Sequence, residues 1–237
     1  MYRYETHCHT FPVSACGKAT VEETVAFYKK LGYDGIFITN HFLDGNICHE
    51  VRDWSYEEKI YFYFSDYEKG ALLGKEMGLK VFPGVEMSYK GTDFLIYGLD
   101  KVWYLTHPEI MDMKKTDELA FMMAEGALVV QAHPYREDYY IDHIRLFPRS
   151  VHAVEITNTS QAQHMNDMAA LYAKHYGLFE TAGSDNHWAG GVFDKLRAKG
   201  LKAEIAGMES EIPLESELDY KPLLFSGKIK PFLQKEN

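Results

Sequence analysis

The sequence predicts an α/β fold in which helices cover a parallel sheet. Three observations predict it. Short apolar runs alternate with longer segments whose apolar residues recur at helical spacing, the rhythm of strand–helix–strand units. The runs are near-continuously apolar, as in strands buried on both faces. Most of them end directly in His, Asp or Glu, which lines ligand-type side chains along one rim, the edge at which α/β barrels build their sites.

Taken in order, Tyr2 to His7 reads as the first strand and ends in His7-Cys8-His9. Alternate side chains of a strand share a face, so His7 and His9 point at one spot. After a loop, Thr20 with Glu23 forms a capping box that opens a helix to about Leu31, where Gly32 can end it. Gly35 to Thr39 is the second strand, followed by Asn40-His41. Phe42 to Trp54 lacks periodicity, carries Asp44, Cys48, His49 and Glu50, and reads as a loop over a site.

A second capping box, Ser55 with Glu58, starts a helix that runs to about Gly78. Its stripe of Tyr56, Ile60, Tyr63, Phe64, Tyr67 and Ala71 has helical spacing and reads as core packing. Strands follow over Leu79 to Ser88, with Glu86, and over Phe94 to Leu99. A helix from about Thr116 to Glu125 precedes the strand Ala127 to Ala132, which ends in His133. His152 to Thr157 is the sixth strand. A helix from Ser160 to about Tyr176 leads to the seventh, Leu178 to Ala182, which ends in Gly183-Ser184-Asp185-Asn186-His187. The tail after about Gly200 has weak pattern and is expected to wrap the outside.

At 237 residues, 46% hydrophobic and 25% charged, the chain has the composition of an ordinary globular protein and suits one domain over 1–237. A formal net charge of −10 provides no basic track for a polyanion and argues against nucleic acid. The three cysteines, Cys8, Cys16 and Cys48, lack paired spacing and read as free thiols. With a polar N-terminus that opens a strand at once and no apolar run near the roughly 20 residues of a membrane helix, the expected location is the cytoplasm.

The strand-end residues are His7, His9, His41, Glu86, His133, Asp185 and His187. Buried charges need partners, and a polynuclear metal cluster supplies them for the whole set at once. Mixed imidazole and carboxylate ligands suit Zn, Mn or Fe. Arg136, just after His133-Pro134, offers a guanidinium that can grip a phosphate. Its plainer reading is a loop arginine paired with an acid such as Glu137. His107 and His164 read as solvated residues, and His49 does so less firmly because its loop overhangs the rim.

These segments resemble the PHP (polymerase and histidinol phosphatase) superfamily. The match spans Tyr4 to His187 and rests on an ordered set: THCHT at 6–10, ITNH at 38–41, PGVEMS at 83–88, AHP at 132–134 and GSDNH at 183–187. The resemblance implies a distorted seven-stranded (β/α) TIM-like barrel, two or three divalent Zn, Mn or Fe ions, and phosphoester hydrolysis. It implies that His7, His9, Glu86 and Asp185 surround one metal, that Glu86 bridges to a second shared with His133, and that His41 and His187 hold a third. The family adds a ligand, often histidine, after the bridging glutamate, and Asp93 stands near that place. It also continues motif one with an aspartate or histidine, whereas Thr10 to Gly17 contains neither. Cys16 there reads either as a small residue beneath the rim or as a thiolate ligand; Asp44 and His49 are the other candidates to complete the third site, which is expected to hold its ion weakly.

The expected function is hydrolysis of a small phosphomonoester, histidinol phosphate among the possibilities, by a metal-activated hydroxide. Glu86 and Arg136 carry the catalytic roles. An amidohydrolase-type hydrolase ranks second, since it normally bridges its metals with a lysine, and a catalytically silent metal- or phosphate-binding domain ranks third. The expected partner is a small phosphorylated substrate, without membrane or nucleic acid; the oligomeric state stays open.

Overall fold

Two reciprocal caps start the first long helices where the sequence places them. The side chains of Thr20 and Ser55 each accept from the backbone of Glu23 and Glu58, whose carboxylates return the bond. The computed structural model describes residues 1–236. Its helices are α1 (Val21–Lys30), α2 (Tyr56–Met77), α3 (Lys101–Thr106), α4 (Lys115–Ala124), α5 (Gln163–Tyr176), α6 (Val192–Ala198) and α7 (Tyr220–Phe225). Gly78 and Gly177 close α2 and α5 in the left-handed conformation that glycine adopts without penalty. Ile60, Tyr63 and Phe64 of the α2 stripe are buried. Ile60→Ala is therefore expected to cost about 2–5 kcal/mol.

The strands are β1 (Tyr2–Cys8), β2 (Gly35–Ile38), β3 (Lys80–Pro83), β4 (Val85–Tyr89), β5 (Thr92–Tyr97), β6 (Leu128–Ala132), β7 (Ala153–Asn158), β8 (Phe179–Gly183), β9 (Glu204–Ser210) and β10 (Ile229–Lys235). They form two five-stranded sheets, in the orders β10-β9-β1-β2-β3 and β4-β5-β6-β7-β8. This corrects the expected (β/α)7 barrel: both sheets are mixed, and no closed barrel forms among the described residues. The pairs β1–β2, β2–β3, β6–β7 and β7–β8 are parallel, while β1–β9, β9–β10, β4–β5 and β5–β6 are antiparallel.

The physical reasons for the difference are local. The single strand expected over Leu79 to Ser88 breaks at Gly84, so its halves join different sheets. A Cβ at Gly84 would lie 2.7 Å from the Thr39 side chain. The tail does not merely wrap the outside: β9 pairs with β1, and Ile205, Ala206 and Met208 are buried. The sheets face each other across a core that includes Tyr4, Phe37, Tyr97, Val130 and Met208, with Tyr220 of α7 entering it. They also touch at two isolated bridges, Cys8 to Asn186 and His41 to Glu86, both among the rim residues. No helix among the described residues is long and apolar enough to cross a membrane.

Candidate metal centre

β1 carries His7, His9 follows just past its end, and the turn after β2 delivers His41. The second sheet brings Glu86 on β4, His133 just past β6, and Asp185 and His187 just past β8. All seven converge. His7 Nε2 lies 3.2 Å from Glu86 Oε1 and 3.6 Å from Asp185 Oδ1. His9 Nε2 lies 3.4 Å from Glu86 Oε2 and 3.3 Å from Asp185 Oδ1. His41 Nδ1 is 2.7 Å from Glu86 Oε2, and His133 Nε2 is 3.3 Å from Glu86 Oε1. Three groups have ligand atoms within 4.8 Å of one another: His7-Glu86-His133, His7-His9-Asp185 and His9-His41-His187.

Partners on the far side of three rings, those of His9, His7 and His187, decide which nitrogen faces inward. Ser14 Oγ donates to Asn40 Oδ1 (2.8 Å) and accepts the His41 backbone N–H (3.0 Å), so its remaining lone pair takes a proton from His9 Nδ1 at 3.1 Å. That fixes His9 as the tautomer with a bare Nε2. His7 donates from Nδ1 to Glu155 Oε1 at 2.9 Å, and His187 from Nδ1 to the Asp185 carbonyl at 2.9 Å. Each imidazole thus turns a lone pair away from its anchor, the arrangement in which outer partners orient metal-binding histidines. Gly183 makes room for it, because a Cβ there would lie 2.5 Å from His7 Cβ and 2.7 Å from Glu155 Oε1.

The inward atoms are without hydrogen bonds. His7 Nε2, His9 Nε2, His41 Nδ1, His133 Nε2 and both Glu86 carboxylate oxygens are buried and unpartnered. A buried polar group left unpaired costs about 1–3 kcal/mol, and one that clusters with five others calls for a shared partner. A divalent cation accepts all these lone pairs together, so the residues present fit a metal. His133 (φ 25°) and Asp185 (φ 52°) hold backbone conformations that non-glycine residues rarely adopt, a strain that concentrates at functional sites.

The electrostatics separate the imidazoles. Burial opposes charge on His7, but Glu155, Asp185 and Glu86 outweigh it and hold its pKa well above the ordinary value. Burial, together with His187 and His41, pushes His9 down to about 3. Burial raises Glu86 and Asp185, yet the surrounding histidines overcome it and hold both carboxyls well below the usual range.

Comparison with known proteins adds the fold. No protein-family profile and no curated protein sequence matches the chain. Among solved structures, it is similar to a two-domain protein from Bacteroides vulgatus described as containing a predicted PHP-like metal-dependent phosphoesterase (TM-score 0.68, 15% identity, 98% of this chain covered). The chain has the PHP-like fold. It spans 64% of the length of that two-domain protein. A structure from Bifidobacterium adolescentis, provisionally described as a metal-dependent phosphoesterase, matches with a TM-score of 0.53 at 15% identity, covering 79% of this chain and 88% of that one. An amidohydrolase from Chromobacterium violaceum, solved with sulfate and no metal, matches with a TM-score of 0.54 at 13% identity, covering 96% of this chain and 97% of that one.

The PHP-like motifs THCHT, ITNH, PGVEMS, AHP and GSDNH thus do meet at one place. Other expected residues stand at the edge of this cluster or outside it. Asp93 joins none of the three groups: Ser88 donates to its Oδ1 at 2.7 Å, and its Oδ2 lies 3.3 Å from Arg136 Nη2 and 3.9 Å from His133 Nε2. The acid beside Arg136 is therefore Asp93 rather than Glu137. Asp44 is held 2.8 Å from Lys115 Nζ and accepts the Ser88 N–H, which commits it outside the centre. His49 pairs with Asn46 on the surface, and His107 stacks on Trp103. Cys16 is not packed away beneath a rim: it is half-buried, with Sγ 3.1 Å from His187 Nε2. Burial raises this thiol, but hydrogen bonds with His187 and His41 outweigh that and bring its pKa to about 6.

Sequence reasoning missed Glu155 and Ser14. Glu155 had a signal, an acid inside the apolar run His152 to Thr157. Ser14 had none, since its role follows from three contacts made in space.

Proposed function

We propose that the chain is a metal-dependent hydrolase of the PHP superfamily that cleaves a small phosphomonoester. The observation that carries this reading is the ring of buried, unpartnered nitrogens and oxygens around Glu86, in which His7 and His9 are aimed by the anchors behind them. His7, His9 and Asp185 would hold one ion, Glu86 and His133 a second, and His41 and His187 a third, each histidine giving one nitrogen to a single ion. Divalent ions held there would supply Lewis acidity, lowering the pKa of water and offsetting phosphoryl charge.

The chain's own residues do the rest. A cleft of about 480 Å³ opens onto the centre and includes Cys16, His41, Asp93, Arg136, Tyr140 and His187. Its size suits a small molecule. Arg136 donates to Tyr140 Oη at 2.7 Å and keeps a buried, unpartnered Nε. In this reading Asp93 positions the guanidinium and Arg136 orients the phosphoryl group by charge-assisted hydrogen bonds. Anchoring by Glu155, Ser14 and the Asp185 carbonyl keeps the imidazole lone pairs directed inward through turnover, which limits reorganisation.

The test is a panel of phosphorylated metabolites incubated with Mn- and Zn-loaded protein, with phosphate release as readout. Monoesters are expected to turn over faster than diesters or single-stranded DNA, because the net charge of −10 provides no basic track. Faster cleavage of single-stranded DNA would overturn the substrate class. The similarity to a structure described as an amidohydrolase makes amides and lactones the second panel; their turnover without phosphomonoesterase activity would replace this reading.

A further inference from the structure

Resting on the reading of the centre as a metal site, we infer that Cys16 Sγ joins His41 and His187 in a sulfur-containing cation site at the mouth of the cleft, which takes a thiophilic ion, zinc before manganese. Sγ lies 3.1 Å from His187 Nε2 and lines the same cleft as His41. His187 uses its Nδ1 on the Asp185 carbonyl, so the nitrogen it turns to Cys16 is its free one. Behind this pair stands a second pointer to a ligand. His9, 1% exposed, has its Nδ1 occupied by Ser14 and its Nε2 unpartnered, and its ligand atom lies within 4.8 Å of those of His41 and His187.

The loop that presents Cys16 is pinned on both sides. The Ala15 N–H donates to the Asn46 carbonyl at 2.9 Å, and the N–H groups of Lys18 and Ala19 both donate to the His187 carbonyl. Gly17 packs so closely that a Cβ would lie 2.8 Å from the backbone of Thr10 and Phe11. Cys16 is therefore held at the same strand end as His187 by main-chain bonds, independently of any side-chain attraction. Sulfur and imidazole donors favour zinc, whereas manganese prefers oxygen. The centre would then be graded, with carboxylates inside and sulfur at the lip.

Cobalt(II) gives a readout separate from activity. The whole chain is stripped with chelator and titrated with Co(II). Wild-type protein is expected to show visible ligand-field bands together with a near-ultraviolet thiolate-to-cobalt charge-transfer band. Cys16→Ser is expected to lose the charge-transfer band and keep the ligand-field bands, whereas Cys48→Ser keeps both. Ligand-field bands in wild type without charge transfer, or a band that survives in Cys16→Ser, would overturn the thiolate ligand while leaving the metal reading intact. No cobalt binding at all would remove the metal reading itself. Should Cys16→Ser fail to fold, iodoacetamide labelling of wild-type Cys16 decides: zinc, but not manganese, is expected to shield it, and equal labelling with and without zinc overturns the inference.

Discussion

The inner and outer parts of the centre differ in how their side chains are held. His7, Glu86 and His133 are at most 5% exposed, and a carboxylate of β7 braces two of them: Glu155 accepts from His7 Nδ1 through Oε1 and from the His133 backbone through Oε2. His41 and His187 lie at the cleft with 12% and 14% of their side chains exposed, and their neighbour Cys16 comes from a loop. Strands β1, β4 and β7 carry His7, Glu86 and the Glu155 brace, which also holds the backbone of the turn at His133, while turns and loops set the outer side chains. Precision that costs buried charge is concentrated where Glu86 touches several imidazoles, and the lip retains access to solvent and substrate.

Four substitutions test this contrast, taken in order of expected effect on turnover. Glu86→Ala removes the group shared by His7, His9, His41 and His133. A loss of several kcal/mol of transition-state stabilisation corresponds to a fall of roughly a thousandfold in kcat. Arg136→Ala, at the cleft, is expected to lower kcat/KM by roughly tenfold, with much of the change in KM. Steady-state constants and metal content of both variants check the order; near-normal kcat in Glu86→Ala with full metal content would erase the contrast.

Next, Glu155→Gln leaves the ligand set intact and weakens only the brace behind His7. Loss of such an outer partner typically lowers metal affinity by about 10–100-fold. Chelator competition should show that loss for the most tightly held ion. Unchanged affinity would mean that β7 merely packs against His7.

The smallest effect on catalysis is expected from Glu118→Gln, a buried acid outside the centre. Burial raises the Glu118 carboxyl to about 7 even though Lys115, 2.7 Å away, lowers it. Between the ordinary value of 4.5 and about 7 the folded state retains a proton that the unfolded chain has lost, so stability falls as pH rises through that window and then levels. The variant should lack this fall, worth at most about 3 kcal/mol, and keep wild-type kinetics. Urea midpoints at about pH 5 and about pH 7.5 give the comparison; parallel midpoints for the two proteins would show that Glu118 does not titrate there.

The sequence makes the contrast only half legible. His7 and His9 could be placed on one face from strand alternation alone, and their rings lie 5.2 Å apart. The caps at Thr20 and Ser55 are local hydrogen-bond exchanges, so three residues suffice to read each one. The braces are different in kind. Glu155 is 148 residues from His7, and no local pattern ties them. The tail strands were hidden for a similar reason. Gly207 lies inside β9, where a Cβ would come within 2.4 Å of the Tyr4 carbonyl oxygen. Pro231 lies inside β10, which tolerates it as an edge strand. The sheet directions escaped because buried apolar runs look alike whether their neighbours run parallel or antiparallel.

The two isolated bridges, Cys8 to Asn186 and His41 to Glu86, have a mechanical consequence. Each sheet brings an incomplete half of the centre: His7, His9 and His41 from one, Glu86, His133, Asp185 and His187 from the other. Main-chain bonds such as His9 N–H to the Asn186 carbonyl and Phe42 N–H to the Glu86 carbonyl join the halves at these bridges, and an ion held between them would act as a further clasp. Its binding free energy then adds to cohesion between the halves by mass action. Breathing of the seam and residence of the ion become one equilibrium, so amide exchange along β1, β4 and β8 should slow as the centre fills.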